Sequence, residues 1–390
     1  MKRMEFKLTR QRAMEIGIAL GLVLVMVLWA AVLQWTDTER DETAARKRMF
    51  AIARVTDVLE DDAEVQDWTE GRRIGQQYLE VELLNGEWKG LVLETVNYLT
   101  IYTNVDAHVG TKIVVRLDLD DNGEPYIISV PNYDRATMLM GMLLVFAAVL
   151  VIIGRKKGLM ALLGLAYTLA SLWFIQVPMI LRGADPVWIT ILIVVLTTGA
   201  SLLLLTGISK KTLCATLGCV GGVAAAGLFA TLFCVISPLN GFNMSEAEEL
   251  VLRSLDRDIH ISGLFVSGIL IASLGAVMDV AMSISSACWE LRELNPALPR
   301  KALFRSGMNI GKDAMGTMAN TLILAFSGSS LNLLLLCQIF DYPLIQIFNT
   351  DAIAIELIRG LAGSIGIILT VPLVALLASQ MMGPQRAAKK

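Results

Sequence analysis

Charge is what this sequence has little of. Asp, Glu, Lys and Arg make up 18% of its 390 residues, against about a quarter in soluble domains. Apolar types reach 55%, and mean hydropathy is +0.61. That excess is too large for a buried core, so a water-soluble enzyme is excluded. The 33 basic residues against 36 acidic ones leave no cationic surplus for nucleic acid. Histidine is scarcer still. His108 and His260 lie far apart, have no ligand partner at helical spacing, and read as surface residues. No Ser/His/Asp set, metal-ligand cluster or phosphate loop adds to that small acid–base inventory, so no enzyme and no cofactor is expected. The five cysteines, Cys214, Cys219, Cys234, Cys288 and Cys337, fall in or at the ends of apolar runs. They show no disulfide framework and no zinc spacing, and read as small packing residues.

The charges that are present cluster. Residues 36–135 hold 11 basic and 21 acidic side chains, nearly half of the total in about a quarter of the chain. A polar domain of that size can fold on its own. It sits between one apolar segment and a long hydrophobic block.

A bilayer core needs roughly 20 apolar residues per helix. Eight stretches qualify: 14–35, 136–154, 159–181, 187–208, 212–237, 259–286, 314–337 and 357–382. Residues 338–356 are apolar enough to form an interfacial or re-entrant piece, so seven or nine spans also fit. Arg155-Lys156-Lys157-Gly158 and Ser209-Lys210-Lys211 read as tight basic turns. With the N-terminus inside, the inner loops and termini collect 18 Lys and Arg and the short outer loops only Arg182, Arg253, Arg257 and Arg359. That bias puts both termini in the cytoplasm and residues 36–135 outside the plasma membrane. The first span has a basic start but no small-residue cleavage site, and reads as an uncleaved signal anchor. The expected divisions are a basic N-terminus (1–13), the anchor (14–35), the exported acidic domain (36–135), a seven-helix membrane domain (136–384) and a basic tail (385–390).

The exported domain reads as β. Residues 78–83 alternate apolar and polar, and Asn85-Gly86 suits a tight hairpin. Leu91–Leu93 and Leu99–Tyr102 continue the sheet. Ile113–Leu117 turns at Asp121-Asn122-Gly123 into Tyr126–Val130. Five to seven short strands predict a small barrel similar to an OB or SH3-like module. Asp118–Glu124 approaches a calcium loop but lacks its acidic ladder and final Glu, and a solvated hairpin turn is the plainer reading. Asp57, Glu60, Asp61, Asp62 and Glu64 read as a solvated loop.

An ionisable residue deep in a span is a candidate for function. Asp279 alone lies well inside an apolar run. Ser283, Ser286 and Glu290 follow it on one helical stripe. The next span opens with Asn309, Lys312 and Asp313, and Gly316, Thr317 and Asn320 continue that polar face. Two readings fit these facing stripes. One is an ion or proton relay through Asp279, with Lys312 or Arg305 as counter-charge. The other is interhelical glue, each hydrogen bond worth about 1 kcal/mol. Gly218, Gly222 and Ala226, with Gly221 and Gly227, and then Gly360, Gly363, Ser364 and Gly366, suit close helix packing.

The run from Gly275 to Ser286, then Asn295-Pro296, then Ser306-Gly307-Met308-Asn309-Ile310-Gly311-Lys312-Asp313-Ala314-Met315-Gly316-Thr317-Met318 through Ala325, resembles the YibE/F family of multi-pass membrane proteins. The likeness extends over most of the chain, and the family brings no established activity with it. A weaker resemblance is to the membrane half of resistance-nodulation-division proteins and the SecD/SecF export factors. Those also place an aspartate in a glycine-containing helix before a charged cytoplasmic loop, and Asp279 matches it. They differ in having six spans per half and a larger exported domain.

The sequence therefore predicts an α-helical polytopic membrane protein of about eight transmembrane helices with a small exported β-barrel domain. It reads as a transporter or permease component, coupled to an ion or proton through Asp279. The alternative is a non-transporting scaffold or sensor whose exported domain binds a partner or envelope component. Expected partners are the lipid bilayer and a second copy or a sister YibE/F-type subunit.

Overall fold

The computed structural model describes residues 49–120, 122–244, 247–253 and 259–382, with Gly21 and Trp29. Those two apart, the expected anchor lies outside the described residues, as do both charged termini. The chain divides into two compact units near Val149 and Leu150.

The first unit is an antiparallel sheet. Its strands are β1 (Met49–Asp61), β2 (Glu64–Val65), β3 (Arg73–Leu83), β4 (Val92–Leu99), β5 (Lys112–Leu119) and β6 (Pro125–Tyr133). β1 pairs with β3 on one side and β5 on the other; β4 and β2 pair with β3, and β6 with β5. The sheet curls until β4 and β6 pack on one another. Alternation drives this, since Leu79, Val81 and Leu83 of β3 face inward beside Ala53, Val55, Ile113, Val115 and Leu117, all nearly without exposed surface. Each large aliphatic among them contributes about 1.5–3 kcal/mol by burial.

Three expectations need correction here. Asn85-Gly86 does not close a tight hairpin. The β3–β4 connection runs from Leu84 to Leu91, and Asn85 Oδ1 accepts the Ile52 N–H at 2.7 Å, which ties the loop to β1. The sheet does not continue past Leu99: Ile101 and Tyr102 are exposed in a loop. Asp57, Glu60 and Asp61 belong to β1, and Glu64 to β2, rather than to a loop. The β5–β6 turn does follow its expected residues. Gly123 takes φ +81°, and Asp120 Oδ1 accepts the N–H groups of Asn122 and Glu124. That carboxylate is engaged by the turn itself, as in a solvated hairpin.

The second unit is helical. Its elements are α1 (Ala136–Ser171, which begins in the first unit), α2 (Val177–Leu181), α3 (Pro186–Thr206), α4 (Lys210–Ile236), α5 (Ala247–Arg253), α6 (Ser262–Leu294), α7 (Arg300–Ser329), α8 (Leu331–Ile339), α9 (Leu344–Asn349) and α10 (Asp351–Met381). Five described stretches are long and apolar enough to cross a membrane: Ala136–Leu181, α3, α4, α6 and α10. α7 and α8 qualify together, as a pair bent by 56° at Ser330.

No open turn interrupts α1 at Arg155-Lys156-Lys157-Gly158. The helix breaks at one residue, Arg155, with φ 50° and ψ −128°. A Cβ on Gly158 would overlap the Leu150 carbonyl, so the backbone doubles back there and only glycine fits. Between α1 and α2 the chain forms one wider π turn, Leu172–Gln176. Pro178 follows; it lacks an N–H for the Phe174 carbonyl and loosens the helix locally. α3 and α4 start at explicit caps. Asp185 accepts from Val187 and Trp188 N–H ahead of Pro186, and Ser209 from Thr212 N–H, which satisfies groups a helix start leaves open.

α4, α6 and α10 form the core, with α7 along α10. Small residues let them meet closely. A Cβ on Gly222 would overlap Thr370 Oγ1, one on Gly218 would overlap Val374, and one on Gly366 would stand 2.6 Å from Ala226 Cβ. The two rows meet at Gly366, against Gly222 and Ala226, while Gly360 and Gly363 face Ile323 and Leu322 of α7.

Candidate functional site

α6 and α7 are consecutive and antiparallel, and two glycines set their register. The Gly307 position lies against Cys288 Sγ, and the Gly311 position against Ile284 Cδ1. Both glycines are buried, and with Leu303 they are the buried residues of α7. Continuing that register brings Asn309 level with Ser286, Lys312 with Ser283, Gly316 with Asp279 and Asn320 with Gly275. Asp279 stands at the middle of the 33-residue α6. The predicted stripes therefore match in height, residue for residue.

They do not meet as a buried pair. Asp279, Ser283, Asn309, Lys312, Asp313 and Asn320 are all exposed, and Ser286 is partly so. None of the seven forms a hydrogen bond or ion pair with another described residue. The exposed stripe of α6 reads Gly268, Ala272, Gly275, Asp279, Ser283, Glu290. Between Gly268 and Glu290 no large apolar side chain is exposed on it. Gly268, Gly275 and Gly316 have open space where a Cβ would stand. The inward side of the same helix does the bonding, where buried Ser285 donates to the Lys211 carbonyl at 2.7 Å. Glue comes from Ser285; the predicted stripe stays open.

Three polar sites were not legible in the sequence. Gln176, in the π turn, is 4% exposed. Its Nε2 donates to Thr190 Oγ1 at 2.8 Å and Ser267 Oγ at 3.1 Å; the two hydroxyls also bond each other. This cluster joins the π turn just before α2 to the first turns of α3 and α6, so the Leu181 end of that helical run and the starts of α3 and α6 lie on one side. Its only signal is a Gln two residues before a Pro.

Arg292 reads in the sequence as a loop charge but is 6% exposed. It donates to the carbonyls of Met382, Pro296 and Leu298 at 2.6, 3.1 and 2.6 Å. The loop after α6 is thereby tied to the end of α10.

Glu356 and Arg359 pair at 2.8 Å near the start of α10, and the Arg359 guanidinium lies 5.6 Å from the Phe265 ring centre. Glu356, Ser327 and Ser330 line a mostly apolar cavity of about 120 Å³ at the α7–α8 bend.

The sheet unit has its own polar network. Arg73 bonds Asp61 at 2.5 Å and Asp106 at 2.9 Å. Gln77, with no exposed surface, donates to Asp61 and the Ala107 carbonyl and accepts from Asn97 and the Ala107 N–H. Partial burial opposes the charged form of Asp61. Hydrogen bonds from Arg73, Gln77 and the Ala63 N–H outweigh it and hold that carboxyl below its usual range. Burial also works against Arg73, but the Asp61 hydrogen bond is the larger influence and raises it. Among the described residues no group of three His, Cys, Asp or Glu is placed to hold a metal ion. His108 and His260 are both exposed.

No curated protein and no solved structure matches this chain. A family model described as YibE/F-like protein matches residues 142–384, which takes in every membrane helix from the first arm of α1 to α10. With long apolar helices in that stretch, this is an integral membrane protein, and the chain belongs to the YibE/F-like family.

Proposed function

We propose that this protein is a transporter or permease component whose path follows the polar face of α6 and α7, with Asp279 carrying a proton or cation. The observation behind this reading is the open stripe of α6. A helix face turned to lipid is normally large and apolar. This one is glycine, alanine, serine and acid, and its neighbour adds Asn309, Lys312, Asp313 and Asn320. Placing one Asp or Lys at a bilayer centre costs about 2.5–3.5 kcal/mol on insertion scales. Asp279 is the one of these charges inside an expected span, and Lys312 and Asp313 continue its polar face at the cytoplasmic end, so the surface as a whole calls for water or protein against it. The bent α7–α8 pair supports the same reading, because interrupted helices accompany binding sites in transporters.

The topology we propose has eight spans in the plasma membrane. Residues 14–35 form the first, the two arms of Ala136–Leu181 the second and third, and α7 with α8 one broken span. Both termini are cytoplasmic and residues 36–135 lie outside. The Gln176, Thr190 and Ser267 cluster supports that alternation, because it gathers helix ends assigned to one side. No enzymatic role is proposed.

A second reading, a scaffold or sensor, draws on the sheet domain. Trp68 and Ile101 are exposed beside a depression also lined by Thr69, Glu70, Arg72 and Ile74, and such a rim suits a partner or envelope component. Flux separates the two readings. Purified protein in liposomes should pass protons or cations, and Asp279→Asn should abolish it. Wild-type flux from that variant sinks the relay, and no flux from any form leaves the scaffold.

A further inference from the structure

The open face of α6 and α7 fits a second copy of itself. We infer that two chains associate through this face, α7 against α7 about a two-fold axis along the membrane normal, so that the Asp279 groove is walled by both. The inference shares residues with the proposed path but does not need transport to be correct, and its test reads association.

Two-fold symmetry about that axis keeps every residue at its own height, so each meets its counterpart and the neighbours of that counterpart. Lys312 and Asp313 are adjacent, opposite in charge and both exposed. Across the axis, Lys312 of one copy stands beside Asp313 of the other, twice over. Asn309 and Asn320 meet their own kind as amide pairs, each able to donate and accept. Gly316, with open space at its Cβ position, is the point of closest approach and is level with Asp279. Small residues at a crossing and polar side chains bonding across it are how membrane helices associate.

The alternative cover within the chain is the first span. Over residues 14–35 its polar side chains are Glu15 at one end, Gln34 and the Trp35 indole at the other, and the Trp29 indole N–H between them. It cannot answer Asn309, Lys312, Asp313 and Asn320 together. A second copy answers each one.

Cross-linking in native membranes tests this. In a chain whose five cysteines are replaced by alanine, Gly316→Cys should oxidise to a covalent dimer. Val235→Cys, on a 74% exposed position of α4, should stay monomeric. No dimer from Gly316→Cys, or equal dimer from Val235→Cys, overturns the inference. So does a Gly316→Cys disulfide to Leu24→Cys within one chain, which would place the first span on this face. Counting subunits of the cysteine-intact protein in lipid nanodiscs provides an independent check. Lys312→Asp should lower the dimer fraction about tenfold by setting acids against each other, and adding Asp313→Lys should restore it. Monomers throughout, or a loss the second change does not repair, contradict the pairing.

Discussion

Gln77 is, with Asn97, an amide with no exposed surface in a sheet domain filled mainly by aliphatic side chains, and its partners account for its presence. It bridges β3 to Asp61 of β1, to Asn97 of β4 and to Ala107, so removing it strands several polar groups together. Gln77→Leu should destabilise this domain by about 2–3 kcal/mol, read as faster hydrogen exchange along β3 and β4 in the full-length protein. Asp61 adds a pH dependence. Its carboxyl titrates below the ordinary value in the folded state. Its contribution is therefore complete above the unfolded value near about 3.9 and is lost as pH falls through the lower folded value. Protection of β1 and β3 should be level from neutral pH to about pH 4 and fall below it, and Arg73→Leu should flatten that dependence. At this scale the sequence shows Asp279 clearly, because an apolar run surrounds it. Gln176, Arg292 and Glu356 are hidden because they sit near span ends, where a polar residue normally means a loop. Only tertiary packing buries Gln176 and Arg292 and half-covers Glu356.

Among the elements, glycine placement does the most to fix geometry. Gly222 lies where a side chain would overlap Thr370 and crowd Val277, whereas Gly275 faces open space. Gly222→Val should cost about 1–3 kcal/mol or more by overpacking α4 against α10. Gly275→Ala should stay within about 0.5 kcal/mol of wild type. Thermal unfolding of the two variants in one detergent makes the comparison, and equal losses would mean that the α4–α10 contact is not tight. The glycine rows of α4 and α10 were legible as packing faces from their spacing alone. Their partners were not, since the pairing of Gly222 with Thr370 belongs to the bundle. Strand alternation likewise located β3, β5 and β6. The Asn85-Gly86 dipeptide misled, because Asn85 bonds β1 instead of closing a two-residue turn.

For the whole molecule, composition alone separates a charged domain from an apolar membrane block, since 32 of the 69 charges fall in 100 residues and 37 in the other 290. What it could not give is which side of each helix is left uncovered. α6 and α7 both carry polar stripes in the sequence, and facing stripes suggest a buried relay. The bundle instead buries Gly307 and Gly311 between them and leaves Asp279, Lys312 and Asn320 open, with Asp279 level with Gly316. The account therefore depends on that face meeting water or protein in the bilayer. Aqueous labelling measures this directly. In the cysteine-free chain, Gly275→Cys, Asp279→Cys and Ser283→Cys are treated in intact membranes with a charged, membrane-impermeant maleimide applied to both sides. Leu228→Cys, at a 68% exposed position of α4, serves as the lipid-facing reference. The account predicts that the α6 positions react and Leu228→Cys does not. If Asp279→Cys and its neighbours are as inert as Leu228→Cys, the face is not lined by water and the proposed path is contradicted.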